Sequence, residues 1–201
     1  MIGLRSLAPF AGPPRATAAR CEVCASPIPE QHRHVVEVAE PRVRGVACAC
    51  QACAILFEGG DASGRYHTVP DRVLRDPAFA LPAAQLGVPV GLACFVREDE
   101  RVATWYPGPA GLTDGELDGG AWAALVAATP LAAQLVPHVE ALVVYTPRSG
   151  PPRGCYLVPV TAAYELAGRL RRTWQGFTGG DEAQAELAAF FAELDARGGK
   201  R

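Results

Sequence analysis

Clustered cysteines are the residues of this chain whose types and spacing can do chemistry. Five of the seven cysteines fall within 33 residues: Cys21-x2-Cys24, a spacer of 25 residues, then Cys50-x2-Cys53, with Cys48 as a fifth thiol. Two close cysteine pairs separated by a spacer of this order are the sequence form of a metal knuckle with four thiolate ligands. The sequence therefore predicts a metal-binding protein, but it does not reveal a reaction.

Five cysteines are available for a site that needs four. We expect Cys21, Cys24, Cys50 and Cys53 to be the ligands, because the two pairs then have equal gaps. Cys48 is an alternative to Cys50, since residues two apart on a strand point the same way. A fifth cysteine can also be a spare thiol for redox chemistry or metal transfer.

Zinc is the expected metal, and iron is the alternative. Four thiolates suit Zn²⁺, a borderline-soft ion without a geometric preference of its own. Its binding supplies about 10–16 kcal/mol of apparent free energy in small zinc peptides, which a small module with few large apolar residues needs. Four thiolates also hold iron in rubredoxin-like sites. Such knuckles usually carry glycine soon after the second cysteine, whereas Ala25 and Ala54 follow here, which favours zinc.

Two histidines, His32 and His34, lie inside the spacer between the cysteine pairs. Alternate residues of a strand share a face, so both imidazoles can point together and form a second or transient metal site, or supply a ligand to the first. The simpler interpretation is two surface histidines on a hairpin. His67 and His138 stand alone in the sequence, and we expect each to be structural or exposed.

Composition excludes several classes of protein. Half of the 201 residues are hydrophobic, but no apolar run reaches the roughly 18 residues of a membrane span. The apolar stretch at the N-terminus is too short and too broken for a secretory signal, so we expect a cytoplasmic protein. The net charge is −2 with both signs mixed along the chain, which does not favour nucleic-acid binding.

No catalytic residue is predicted. The chain lacks a Walker phosphate loop, a Gly-x-Ser-x-Gly elbow and a His-Glu-x-x-His helix. Asp114, Glu116 and Asp118 lie in a glycine-rich segment that predicts a solvated loop rather than a pair of catalytic carboxylates. An enzyme that uses the loop around Trp105–Asp118 is a third possibility, without a motif to support it.

The elements around the cysteines predict a zinc ribbon. His34–Val38 and Val43–Ala47 alternate as short strands, with a turn at Glu40-Pro41, so that one hairpin carries a cysteine pair at each end. The predicted organisation is a mobile tail (1–20), a zinc-ribbon-like metal module (21–57), a linker (58–76) and an α+β body (77–201).

The body is predicted to be an antiparallel sheet with helices on one face. Strand-like segments occur at residues 88–98, 101–106, 139–145 and 156–160, and helical patterns at residues 119–128, from 164 and from 181. The last helix begins with Asp181 and Gln184 in the spacing of a capping box. The order β-β-α-β-β-α-α is typical of α+β proteins.

Several segments together resemble a known family. They are Cys21–Cys24, His32–His34, Cys48–Phe57, Gly64–Tyr66 with Val69–Arg72, Gly87–Phe95, Tyr156–Pro159, Arg172–Trp174 and Gly179–Asp181. This combination resembles a bacterial, mainly actinobacterial, family of uncharacterised function that is often encoded beside nickel–iron hydrogenase genes. The resemblance covers about residues 21–195 and leaves the N-terminal tail outside. It implies an accessory protein whose partners are hydrogenase subunits or maturation proteins, and it assigns no catalytic residue.

Overall fold

The computed structural model describes residues 19–39, 42–59, 64–81, 86, 91–98, 101–108, 111–146, 154–176 and 179–198. It shows an α+β protein with two antiparallel sheets and helices, which confirms the predicted fold class. The cysteine-rich segment lies against the smaller, N-terminal sheet. Most of the predicted tail and the predicted turn at Glu40-Pro41 lie outside the described residues.

The small sheet has three strands in the order β2-β1-β3: β1 (Arg33–Ala39), β2 (Arg42–Ala49) and β3 (Tyr66–Thr68). Strands β1 and β2 form the expected antiparallel hairpin, with His34 opposite Cys48 and an irregularity between Glu37 and Val38. Both faces of β1 are used. Val35 packs against the cysteines, whereas Val36 packs into the core of the body.

The large sheet has six antiparallel strands in the order β4-β9-β8-β5-β6-β7. The strands are β4 (Leu74–Asp76), β5 (Leu92–Glu98), β6 (Arg101–Gly108), β7 (Gly111–Glu116), β8 (Glu140–Tyr145) and β9 (Cys155–Pro159). Strands β8 and β9 are buried at every residue, because helices cover both faces of the sheet at its centre. Cys94 in β5 and Cys155 in β9 have no exposed surface.

Two long helices, α3 (Val160–Thr173) and α4 (Gly180–Gly198), pack on one face of the large sheet through Leu166, Leu170 and Phe191. A shorter helix, α2 (Gly119–Ala128), and a 3-10 turn at Ala132–Gln134 pack on the other face. The helices therefore lie on both faces of the large sheet, whereas the sequence predicted them on one face. The hydroxyl of Tyr156 donates to Oδ1 of Asp195 at 3.0 Å, which fixes α4 over the sheet.

The segment between the two sheets takes part in both of them. Residues 58–76, predicted as a linker, contain β3, which pairs with β1, and β4, which pairs with β9. Val69 and Val73 of this segment join Val36 and Val38 in the core cluster that underlies α3 and α4. A single hydrophobic core therefore connects the cysteine-rich sheet to the body.

One segment predicted as loop is a strand. Gly111–Glu116 forms β7, which pairs with β6 through Gly108 opposite Gly111 and Trp105 opposite Asp114. The sequence of β7 has no aromatic residue and only one β-branched residue, Thr113. It is an edge strand, and the side chains of Thr113 and Asp114 are exposed to solvent.

Among the residues that the structure describes, no helix has both the length and the apolar character needed to cross a membrane.

Candidate metal centre

The first cysteine pair lies on a tight turn closed by backbone hydrogen bonds. The N–H of Cys21 donates to the carbonyl of Ser26 at 2.8 Å, and the N–H of Ala25 donates to the carbonyl of Cys21 at 2.8 Å. Ala25 has φ of 61°, in the left-handed region that glycine normally occupies. This turn directs both thiols of the pair toward one point.

The second cysteine pair lies at the junction of a strand and a helix. Strand β2 ends at Ala49, and Cys50 is the N-cap of a short helix, α1 (Gln51–Leu56). The backbone N–H of Cys53 donates to Sγ of Cys50 at 3.5 Å. Because Cys50 has left the strand, it no longer points the same way as Cys48, and this change of direction separates the two thiols.

Glu22 ties the two cysteine pairs together. Its backbone N–H donates to the carbonyl of Cys48 at 2.8 Å, and its carboxylate accepts from the N–H of Cys48 at 2.5 Å. A hydrogen bond from β3 holds the helix that carries Cys53. The backbone N–H of Thr68 donates to the carbonyl of Phe57, the C-cap of that helix. These contacts hold the ends of the hairpin in register with the first turn.

Four thiols converge in this arrangement. The Sγ atoms of Cys21, Cys24, Cys50 and Cys53 all lie within 4.8 Å of one another, and those of Cys24 and Cys50 are 3.7 Å apart. Tetrahedral zinc with Zn–S bonds of about 2.3 Å requires neighbouring sulfurs about 3.8 Å apart. The donor set and the spacing therefore fit a metal ion bound by four thiolates.

The thiols of the quartet differ in pKa because their surroundings differ. Burial raises the pKa of Cys21, but hydrogen bonds from the backbone of Cys50, Cys24 and Val23 outweigh it and bring the pKa down to about 6. The hydroxyl and backbone of Ser26 lower the pKa of Cys24, whose Sγ is 3.3 Å from Oγ of Ser26. The hydrogen bond with Cys24, together with burial, raises the pKa of Cys53 to about 12. Part of the site is therefore readily anionic, and a bound cation would displace the remaining protons.

Apolar side chains surround the four thiols. Ile28, Val35 and Ala49 are buried with Cys21 and Cys53, and Phe57 and Tyr66 pack against this group with their rings 5.4 Å apart. Cys24 is the exposed member of the quartet. Apolar shielding strengthens electrostatic attraction between thiolates and a cation, because it lowers the local dielectric.

A second group of metal-ligand residues lies beside the first. His32, His34 and Cys48 each place one ligand atom within 4.8 Å of the others, and all three side chains are half-buried. The structure therefore groups Cys48 with the two histidines rather than with the other cysteines. Burial lowers the pKa of His34, and the nearby His32 lowers it further, which favours the neutral imidazole.

A sequence model for a family of unknown function (DUF5947) matches residues 20–198. The chain belongs to this family. The match includes both groups of ligand residues and all of the described helices and strands. No curated protein and no solved structure matches the chain.

His67, His138 and Asp118, which the sequence analysis also considered, make contacts within the fold. His67 and His138 are not isolated, since their rings stack with centroids 6.3 Å apart and His138 is buried. Asp118 is the N-cap of α2 and accepts from the backbone N–H groups of Gly120 and Ala121. Neither group of metal-ligand residues found in the described part of the chain contains any of these three side chains.

Sequence reasoning did not identify the residues that support the ligands. Glu22 and Ser26 hold Cys48 and Cys24 through the hydrogen bonds described above. Ser26 carries a recognisable signal, because a hydroxyl two residues after a knuckle cysteine can reach its sulfur. Glu22 carries no such signal, since its partner lies across the hairpin.

Proposed function

We propose that this protein is a non-catalytic accessory protein, in which zinc bound by Cys21, Cys24, Cys50 and Cys53 stabilises the N-terminal fold. The α+β body then docks on a protein partner as an adaptor. The observation that carries the proposal is the convergence of four thiols from the two ends of one hairpin. Four protein ligands complete the tetrahedral coordination of zinc, as in structural sites.

The hydrogen-bonding pattern supports a structural role for the ion. Each cysteine pair is fixed by its own turn, and Glu22 joins the two turns through two hydrogen bonds. Catalytic zinc sites have three protein ligands and an open position for water or substrate. A quartet of thiolates has no such position, so the ion would link the two ends of the hairpin instead of activating a substrate.

The partner that we propose is a component of a nickel–iron hydrogenase system, either a subunit or a maturation protein. The support is the resemblance of the cysteine, histidine and Tyr156–Pro159 segments to a family often encoded beside hydrogenase genes. Co-purification with separately tagged hydrogenase subunits tests this link, and the absence of any retained subunit would remove it.

Elemental analysis with an absorption spectrum on the same sample tests the metal. One tightly held zinc per chain without visible colour is the expected result for the quartet. Cys21→Ser should lose this ion and unfold residues 21–57, because one ligand and the first turn are lost together. The body should lose stability with them, because Val36 and Val38 belong to its core. Cys48→Ser is the matched control and should retain the tight zinc. A Cys21→Ser protein that keeps its metal, its fold and its partner binding would contradict the proposal.

The second candidate function is redox or metal handling for the same hydrogenase system, with iron in a rubredoxin-like site or a metal in transit. The proximity of His32, His34 and Cys48 to the four cysteines favours metal handling over electron transfer. One iron per chain with thiolate charge-transfer bands would support the redox form. A colourless protein that binds a single zinc and no other metal would reject both forms.

A further inference from the structure

We propose that His32, His34 and Cys48 form a second metal site, which holds a divalent transition-metal ion with three protein ligands and one position open to a neighbouring cleft. This site is separate from the four-thiolate centre, and it goes beyond the structural role proposed above. The ion is of the borderline class, such as Zn²⁺, that two imidazoles and one thiolate suit.

Strand pairing brings the three ligands together. His34 on β1 and Cys48 on β2 are directly opposite each other in the hairpin register. His32 lies two residues before His34, immediately before β1, and the two imidazole rings have centroids 4.8 Å apart. Side chains directly opposite in an antiparallel pair, and those two residues apart on one strand, share a face of the sheet. The site is thus fixed by the same hairpin that carries the cysteine pairs.

The imidazole of His32 is arranged as in a metal ligand. Its Nδ1 lies 3.1 Å from the carbonyl oxygen of Pro29 and 3.0 Å from that of Glu30. Carbonyl oxygens only accept hydrogen bonds, so Nδ1 carries a proton, and Nε2 is the nitrogen whose lone pair is available to a metal ion. This Nε2 is buried and has no hydrogen-bond partner among the described residues. Metal-binding histidines commonly donate their other N–H to a backbone carbonyl in this way.

A buried nitrogen without a hydrogen-bond partner is unfavourable unless something binds it, because burial removes the hydrogen bond that water would make with it. A cation at the point where Nε2 of His32, the ring of His34 and the thiol of Cys48 meet removes this cost.

The two histidines also line a cleft of about 720 Å³ between the small sheet and the helices of the body. Thr161 and Glu165 of α3 and Arg197 of α4 line the same cleft. A tetrahedral ion has four coordination positions, and three protein ligands leave one of them unfilled. The cleft gives water, a small ligand or a side chain of another protein access to this fourth position. The geometry therefore indicates an exchangeable ion, in contrast to the closed quartet.

Cobalt titration of the reduced, metal-free full chain tests the proposal, because Co²⁺ reports its ligands through visible bands. We expect two equivalents of Co²⁺ per chain. The first gives the intense sulfur-to-cobalt bands of four thiolates, and the second adds weaker bands of a site with one thiolate. Saturation at one equivalent would overturn the proposal.

Substitutions assign the second equivalent to its ligands. His34→Ala and Cys48→Ser should each bind one equivalent and keep the four-thiolate bands, which also show that the variant is folded. His67→Ala removes a histidine on the adjacent strand β3 and should still bind two. If His34→Ala and Cys48→Ser both retain two equivalents, the second ion lies elsewhere and the proposal is wrong.

Azide tests the open position. It should shift the bands of the second equivalent in the wild-type protein and leave the four-thiolate bands unchanged, because only the second ion faces the cleft. Bands that do not respond would overturn the open coordination. Loss of the first equivalent alone, with the second retained, would instead contradict the structural zinc proposed above, so the two failures are distinguishable.

Discussion

Ala25 is the residue at which the first cysteine turn is strained. Its φ of 61° places an L-residue with a β-carbon in the left-handed region, which costs about 1–2 kcal/mol. The backbone hydrogen bond from Ala25 to Cys21 depends on this conformation. Position 25 is alanine, although glycine is the usual residue in this backbone conformation, and the turn forms nevertheless.

Ala25→Gly should therefore stabilise the metal-bound protein. Glycine removes the steric cost but adds flexibility to the unfolded chain, so we expect a net gain of about 0.5–1 kcal/mol in the free energy of unfolding. Urea unfolding measures it. Ala123→Gly, at an exposed position of α2, is the control and should lose about 1 kcal/mol. A destabilised Ala25→Gly protein would show that the turn does not require glycine-like geometry.

The seven cysteines should divide into five and two in their reactivity. Burial raises the pKa of Cys94 to about 12, and burial with the nearby Asp76 does the same for Cys155. Neither has exposed surface. After chelation of the metal, we expect iodoacetamide to modify the exposed Cys24 first and the other N-terminal cysteines as their turns open without the ion, while Cys94 and Cys155 react only in denaturant. Mass spectrometry of the modified peptides measures it, and early labelling of Cys94 or Cys155 would contradict the buried core.

Residue spacing alone predicted the quartet, but it could not predict the partners of Cys48. The pattern Cys-x2-Cys places two thiols on one turn in any fold that closes it. Placing Cys48 with His34 requires the register of β1 and β2, and a slip of one residue would put Ala47 or Ala49 there instead. That register depends on how far β2 runs before Cys50 caps α1, and residue propensities do not determine this length.

At the scale of elements, an ion pair connects the segment before β4 to the start of β8. Nε of Arg72 lies 2.6 Å from Oε1 of Glu140, and one Nη of Arg72 lies 2.8 Å from Oε2. Glu140 has no exposed surface, and it also accepts from the N–H of Val136. The pair fixes the loop that precedes β8, and its partners are too far apart in sequence for local patterns to reveal.

Arg72→Met should lose about 3 kcal/mol of unfolding free energy, because it leaves the Glu140 carboxylate buried without its cation. Thermal and urea unfolding measure the loss. Asp71→Asn is the control, since it removes an exposed pair with Arg197 and should cost less than about 1 kcal/mol. Equal effects from the two variants would show that burial of Glu140 does not set the strength of the pair.

The helices and central strands were predictable because they are strongly patterned, whereas the edges of the sheet were not. The helix predicted at 119–128 and the strands predicted at 139–145 and 156–160 lie within a residue of the observed elements. Strand β7 was missed because Gly111, Asp114 and Gly115 are typical of loops. An edge strand needs only backbone pairing on one side, so its sequence is weakly constrained.

For the whole molecule, the shared core implies that the cysteine-rich sheet and the body unfold together. Val36 has no exposed surface and lies in one cluster with Val143, Leu166 and Phe191. Sequence composition suggested a linker between two separate parts, because residues 58–76 are rich in turn-forming residues. Only the fold shows that this segment contributes strands to both sheets.

Val36→Ala should lower the stability of both parts, by about 2 kcal/mol. The three tryptophans, Trp105, Trp122 and Trp174, report on the body by fluorescence, and metal–thiolate absorption reports on the cysteines. We expect the two urea transitions to coincide in the wild-type protein and to shift equally in the variant. A metal signal that shifts alone would show two independent units.

The placement of Val36 has a consequence for biosynthesis. The hairpin emerges early from the ribosome, but α3 and α4, which cover its inner face, are separated from it by most of the chain. The cysteine pairs are complete by residue 53, so metal can close the hairpin long before its apolar face is covered. During that interval the face of Val36 and Val38 is open to chaperones or to wrong contacts. Availability of metal in the cell would then govern how much of the newly made protein reaches its native state.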